Sequence, residues 1–202
     1  MSWFAHTVGM LLSDGVARLL LVLHTVLAVA AVAAATHLLI WLRRSIKRSD
    51  ARFASTKRFA SYALVLHFAA FVVGNVMYPT YKLRVRVAYL ENPVAISTDL
   101  ARRDADRARI EATAPPSAAA DGSRTDAQAL AGARIARWFD VKEHLLAFGL
   151  GALLAVWLIT RRWQPQFDDG IGIVVVSLAG FAAATGWVGA IIGVLTAAWR
   201  AI

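Results

Sequence analysis

The stretch RLLLVLHTVLAVAAVAAATHLLIWLRR, residues 18–44, decides the fold of this chain. A helix needs about 20 apolar residues to cross the hydrocarbon core of a bilayer, and Leu19 to Leu42 meets that length. Arginines stand at both ends, and two histidines, His24 and His37, interrupt the apolar run. A plain anchor needs no imidazole at these depths, because a polar side chain in hydrocarbon must find a partner. The stretch therefore predicts a transmembrane helix that carries a functional site.

The composition of the whole chain is that of a membrane protein. Of its 202 residues, 58 % are hydrophobic, and the mean hydropathy of +0.55 lies well above that of a soluble domain. The absence of cysteine excludes disulfides, thiolate metal sites, iron–sulfur clusters and c-type haem attachment. The net charge of +9 comes from cations that crowd at the ends of the apolar segments. It therefore indicates anionic lipid and membrane topology, and not nucleic acid.

Further apolar segments predict an all-α, four-transmembrane-helix bundle. The second span runs from about Phe59 and is closed by Pro79, the third runs from about Lys142 to Ile159, and the fourth from Ile171 to Trp199. The chain then divides into four parts. Residues 1–17 form an interfacial N-terminal segment, 18–79 transmembrane helices 1 and 2, 80–137 an extracytoplasmic loop, and 138–202 transmembrane helices 3 and 4.

The extracytoplasmic loop is expected to have three parts. Apolar and cationic residues alternate with a period of two from Tyr81 to Tyr89, which predicts a short strand or an extended arm. Ser97 to Glu111 predicts a polar, charge-mixed helix with a capping residue at its start. Ala112 to Gln128 is rich in Pro, Ala and Ser and predicts a linker, and Ala129 to Val141 predicts a helix that leads into the third span.

The connection between the first two spans predicts the orientation in the membrane. From Arg43 to Arg58, seven cations accompany a single acid, Asp50. Short loops this basic stay in the cytoplasm. We expect a bacterial-type cytoplasmic (inner) membrane, with both chain termini outside the cytoplasm and the connection from Arg161 to Gly170 inside.

The histidines of the spans sort into two levels. Helix rise places His24 and His144 near the outer face and His37 and His67 near the inner face. The thirteen residues between the two histidines of the first helix correspond to about 20 Å of rise and a net turn of about 140°, so the two rings face different neighbours. Two imidazoles on one haem iron give a low-spin, six-coordinate centre. The pattern therefore predicts two bis-histidine haem sites, His24 with His144 and His37 with His67.

Other residues are candidates to support the haems. Haem propionates need cations at the membrane surface. The inner candidates are Arg43, Arg44, Lys57 and Arg58, and the outer ones are Arg18, Lys82 and Lys142. Small residues that would let a porphyrin ring approach the backbone are Gly74, Gly149 and Gly151. Glu143 and Asp140 are candidates for the protons of quinol chemistry, although Glu143 also fits a surface acid.

Two histidine pairs in a four-helix membrane bundle resemble the membrane dihaem b-type cytochrome subunits of respiratory complexes. The resemblance covers the four spans. It implies two b haems per chain, electron transfer through them, and contact with quinone or with other membrane or extracytoplasmic redox subunits. In cytochrome b of the bc complexes each of two helices carries two histidines, whereas here one helix carries His24 and His37 and two other helices carry one each.

Three alternatives stay open at this point. One is a single haem. Another is a cofactor-free accessory or scaffold subunit of a larger membrane complex, which would dock through Gly189 and Gly193 of the fourth helix and the loop after Pro79. The third is a metal or proton transporter, which the near absence of carboxylates inside the spans disfavours.

Overall fold

The computed structural model describes residues 12–48, 53–112, 124–163 and 169–199. Within these ranges the chain is almost entirely helical and contains no strand, which confirms the predicted all-α class. Four helices are long and apolar enough to cross a membrane, as expected for a multi-pass membrane protein. Most of the predicted interfacial segment and the part of the predicted linker from 113 to 123 lie outside the described residues.

The described residues form five α-helices and one π-helix. The four long helices that span the membrane are α1, α2, α4 and α5, and α3 is polar. The bounds are α1 Asp14–Arg48, α2 Phe53–Tyr81, the π-helix Lys82–Leu90, α3 Pro93–Glu111, α4 Arg124–Arg162 and α5 Asp169–Trp199.

The four long helices pack as a ring in which each has two neighbours. Helix α1 packs against α2 and α5, and α4 packs against α5 and α2. One end of the ring, which we call the tyrosine end, holds Tyr78 and Tyr81. The other, the arginine end, holds Arg43, Arg44 and Arg161.

The packing is solid toward the arginine end. Buried leucine, valine and alanine side chains from all four long helices meet there in a close-packed core. Members of this core are Leu38, Leu42, Ala60, Ala63, Leu153, Val156, Val175 and Ala179. Large apolar side chains are exposed on the outer faces of the same four helices, where lipid would cover them; examples are Leu19, Val65, Phe148 and Val194.

The predicted strand or extended arm after Pro79 is wrong. Helix α2 continues through Pro79 to Tyr81, and the chain then winds as a π-helix. A proline lacks the backbone donor, so the helix loses one hydrogen bond at Pro79. The amide of Glu91 donates to the carbonyl of Arg86 at 2.8 Å, the five-residue spacing of a π-turn.

Two other helix boundaries also differ from the prediction. Helix α3 begins at Pro93 and not at Ser97, because the side chain of Asn92 caps it and accepts a hydrogen bond from the Ala95 amide at 3.2 Å. Helix α4 begins at Arg124, so residues 124–128 of the predicted linker are helical and continuous with the third span.

The described part of the loop folds onto the bundle. The Arg86 guanidinium donates to Glu91 at 2.7 Å and to Asp140 of α4 at 2.6 Å, and we call this pair of contacts the Arg86 clamp. The Tyr89 hydroxyl donates to Asp99 of α3 at 2.8 Å. Helix α3 and the π-helix are thereby held on the tyrosine end of α4.

Candidate cofactor site

A cavity of about 310 Å³ lies between α1, α2, α4 and α5, in the half of the bundle toward the tyrosine end. Its walls are mainly apolar and rich in small residues from α1, α2 and α5. Two imidazoles, one ammonium and one carboxyl group line it, from His24, His67, Lys142 and Glu143. An apolar cavity with a few convergent polar groups is the usual form of a cofactor or ligand site.

His67 lies on the wall of this cavity without a partner. Its side chain is only 4 % exposed, and neither ring nitrogen makes a hydrogen bond. The carbonyl of Leu146 on α4 is near enough to interact electrostatically with the ring, but it does not meet hydrogen-bond geometry. A buried polar group left unsatisfied costs about 1–3 kcal/mol. An imidazole in this state within a membrane bundle makes His67 a candidate site residue.

His24 is held by a hydrogen bond to the neighbouring helix. Its Nδ1 lies 3.0 Å from the carbonyl oxygen of Ala70, and because a carbonyl only accepts, Nδ1 carries the proton. The lone pair of Nε2 is then available. Histidines that ligate a metal are commonly oriented in this way by a backbone carbonyl. Ala70 is one helical turn from His67, so α2 supports one histidine and carries the other on the same face.

Two glycines border the histidines; Gly74 makes room for His24, and Gly149 makes room for Thr185 of α5. A Cβ at Gly74 would lie 3.1 Å from Cε1 of His24. A Cβ at Gly149 would collide with the hydroxyl of Thr185 on α5, and it would lie 3.7 Å from Nε2 of His67. Gly151, the third glycine of the prediction, has nothing within 4 Å of its Cβ position and does not shape the cavity.

The structure does not bring the two predicted histidine pairs together. His37 is exposed, its Nδ1 donates to the Ala33 carbonyl of its own helix at 3.0 Å, and its ring stacks on Phe59 at 6.4 Å. His144 is also exposed, and its Nδ1 donates to the Asp140 carbonyl at 2.8 Å. Neither lines the cavity.

The register of α1 against α2 explains this arrangement. His37 faces Phe59, which precedes His67 by eight residues, or about 12 Å of helix rise. The prediction started the second span at Phe59, whereas α2 starts at Phe53. His67 is therefore deeper than expected, and it shares the cavity with His24.

Among the cations predicted to hold propionates, Lys142 is the one described residue that lines the cavity. Its Nζ lies over the Phe139 ring at 5.3 Å from the centroid. Lys57 instead donates to the Arg161 carbonyl at 3.5 Å. The remaining candidates are exposed and do not line the cavity; they are Arg18, Arg43, Arg44, Arg58 and Lys82.

The structure adds Tyr81, which sequence reasoning did not include in the site. Tyr81 lines the cavity, is 5 % exposed, and its hydroxyl has no hydrogen-bond partner. His67, Gly74 and Tyr81 are spaced by seven residues, which places them on one helix face. That spacing was visible in the sequence, but an α2 that ended at Pro79 would have excluded Tyr81.

The number of metal-binding side chains limits the kind of metal group that the cavity could hold. The described residues contain no group of three or more His, Asp or Glu placed to bind a metal ion. Two histidines suffice for haem, whose porphyrin supplies the other four iron ligands.

No protein-family model, curated protein or solved structure matches this chain.

Proposed function

We propose that the chain is a b-type cytochrome membrane subunit that transfers electrons through one haem held by His24 and His67. The observation that carries the proposal is the buried, unpartnered ring of His67 on the wall of a cavity that His24 also lines. When bound, haem supplies a one-electron iron couple. The prediction of two haems, held by His24 with His144 and by His37 with His67, stays a prediction, and the present proposal is for one haem in this cavity.

The residues that line the cavity would have different roles in haem binding. His24 and His67 would hold the haem iron through their ring nitrogens, and the Ala70 carbonyl fixes the tautomer of His24. The absence of a side chain at Gly74 lets the His24 ring lie close to the backbone of α2. The apolar walls exclude water, which favours outer-sphere electron transfer without an open substrate position. Quinone or another redox subunit would be the electron partner.

We place the protein in a bacterial-type cytoplasmic membrane with the arginine end inside. Support comes from the cations Arg43, Arg44, Lys57, Arg58 and Arg161, which gather at that end. The tyrosine end, with both chain termini, would then face the outside.

The cofactor-free scaffold is less well supported. One of its two proposed docking surfaces is the small-residue face of α5, and the other is the loop after Pro79. A Cβ at Gly189 would lie 3.0 Å from Leu146, and one at Gly193 would lie 3.3 Å from Lys142, so this face packs against α4 within the chain. It offers little surface to another subunit.

Substitution of the histidines in two matched sets tests the proposal. His24→Ala and His67→Leu remove the imidazoles of the cavity, whereas His37→Ala and His144→Ala remove exposed ones. We expect purified wild-type protein to show a low-spin b-type spectrum that sharpens on reduction. The first pair of variants should lose it and the second pair should keep it, with thermal unfolding of each variant as the check on folding. A spectrum that survives in His67→Leu, or a colourless wild-type protein, would refute the proposal.

A further inference from the structure

We infer that a groove on the outer face of α4 and α5 binds an anionic phospholipid, with an acyl chain in the groove and the phosphate on Arg134 and Arg137. The inference does not rest on the proposed function, because the groove and the cavity lie on different faces of α5, with Thr196 between them. It is carried by an apolar groove in the membrane span and by two unpaired arginines where that span begins.

The groove has a volume of about 280 Å³ and exposes only apolar surface. The hydroxyl of Thr196, its one hydroxylated residue, donates to the Ile192 carbonyl of its own helix at 2.7 Å and offers nothing to a polar ligand. From Val188 to Thr196 the groove follows α5 for about 12 Å of helix rise, along the direction in which acyl chains lie. Its other lining residues are Ile135, Trp138, Ile191 and Leu195.

The arginines next to this groove have no counter-ion. Arg134 and Arg137 are exposed, and neither forms an ion pair with a residue in the described ranges. A guanidinium group binds phosphate oxygens through two parallel hydrogen bonds, so a phosphate is the anion that it suits best. Other arginines near the tyrosine end are already paired with carboxylates; they are Arg84, Arg86 and Arg103.

The level of these residues in the span matches the parts of a phospholipid. The apolar span of α4 starts at Arg134, so both arginines lie where the helix enters the hydrocarbon. Trp138 is one helical turn further in, on the same face as Arg134, and tryptophan is typical of the headgroup layer. A phosphate at Arg134 therefore directs its acyl chain past Trp138 into the groove.

The charges favour a lipid over a second copy of this chain as the occupant. Copies in one membrane share an orientation, so a two-fold pair through this groove would place the same residues opposite each other at one level. Arg134 and Arg137 of both copies would then repel each other without a counter-ion. An anionic lipid instead neutralises the two arginines and covers the exposed side chains of Val188 and Ile191 with hydrocarbon.

A comparison of two phospholipids with the same acyl chains tests the inference. The full-length chain in detergent is titrated with dioleoyl phosphatidylglycerol, which is anionic, and with dioleoyl phosphatidylcholine, which is zwitterionic, and native mass spectrometry counts the bound lipids. We expect one phosphatidylglycerol to bind wild-type protein at least about tenfold more tightly than phosphatidylcholine, because two cations near the lipid phosphate favour the anion.

Matched variants locate the headgroup and the acyl chain. Arg134→Gln/Arg137→Gln should bind the two lipids with nearly equal affinity, whereas Arg102→Gln/Arg107→Gln, which removes two exposed cations of α3, should keep the preference. Ile191→Trp fills the groove and should weaken phosphatidylglycerol binding by about tenfold or more. Ile173→Trp, an exposed position of α5 outside the groove, should leave it unchanged.

Four results would overturn the inference. Two concern charge: equal affinity of wild-type protein for both lipids, or an unchanged preference in Arg134→Gln/Arg137→Gln. The third is displacement of the lipid by glycerophosphoglycerol, which has the headgroup without acyl chains and would show a site for phosphate alone. The fourth is a wild-type dimer in the same spectra that Ile191→Trp dissociates, which would make the groove an interface between copies.

Discussion

Replacement of Gly149 by alanine should destabilise the bundle at the cavity wall. The new methyl group would collide with the Thr185 hydroxyl and lie 3.3 Å from the Thr185 Cβ. Thr185 is buried, and its hydroxyl donates to the Ala182 carbonyl at 2.9 Å, so the side chain has little freedom to withdraw. Overpacking of this kind costs about 1–3 kcal/mol. Alanine regains up to about 1 kcal/mol of helix propensity. The expected net loss is about 1–2 kcal/mol in the free energy of unfolding.

Reversible unfolding in detergent, followed by circular dichroism, measures this loss. Gly151→Ala is the matched control, because it lies on the same helix and its Cβ position has no neighbour within 4 Å. It should be neutral or stabilising by up to about 1 kcal/mol. The double variant Gly149→Ala/Thr185→Ala removes the colliding hydroxyl and should recover about 1 kcal/mol relative to the sum of the single changes. Equal stability of the Gly149 and Gly151 variants would refute the close approach of α4 and α5 at this level.

Three further changes test other parts of the structure. His67→Leu should raise the free energy of unfolding of haem-free protein by about 1 kcal/mol, because it removes a buried polar group without a partner; a clear loss would show that the ring is satisfied without haem. Arg86→Gln should lower the free energy of unfolding by about 1 kcal/mol, because it removes the contact with Asp140. Arg84→Gln removes an exposed ion pair with Asp14 and should change the free energy of unfolding by less than about 0.5 kcal/mol in the same assay. Asn92→Ala removes the cap of α3 and should cost about 1 kcal/mol of local stability. Amide hydrogen exchange should accelerate in the first turn of α3 and not in α5.

The membrane helices could be predicted from the sequence because their signal is strong and local. Length and hydropathy alone define a span, and the apolar run from Leu19 to Leu42 lies inside α1. The fourth span, predicted from Ile171 to Trp199, differs from α5 by two residues at its start. Hydropathy does not report where a helix ends in water. The helix predicted from Ala129 and the third span predicted from Lys142 form one helix, α4, which begins five residues before the predicted start, at Arg124.

The segment after Pro79 shows how two periodicities can agree. Tyr81, Val85 and Tyr89 are buried in the structure. They are spaced by four residues. That spacing places them on the same side of a strand, whose side chains repeat every two residues, and also on one face of a helix. Alternation therefore could not separate a strand from a helix here, and the cationic residues between them fit both.

The histidine site could be predicted in part. The cost of imidazole in hydrocarbon made His24 and His67 candidate site residues in the sequence, and both line the cavity. Which rings share a level depends on the register between two helices, and that register is set by side-chain contacts such as the Ser45–Thr56 hydrogen bond at 3.1 Å. No count of residues from an assumed membrane boundary contains that information.

Haem stoichiometry tests the central claim most directly. The pyridine haemochrome assay on purified wild-type chain, with protein determined by amino-acid analysis, measures haem per chain without assuming which residues bind it. The His24–His67 cavity predicts one haem b per chain. A value near zero would contradict the claim that this cavity binds haem, and a value of two would show that the exposed histidines form a second site that this structure does not assemble.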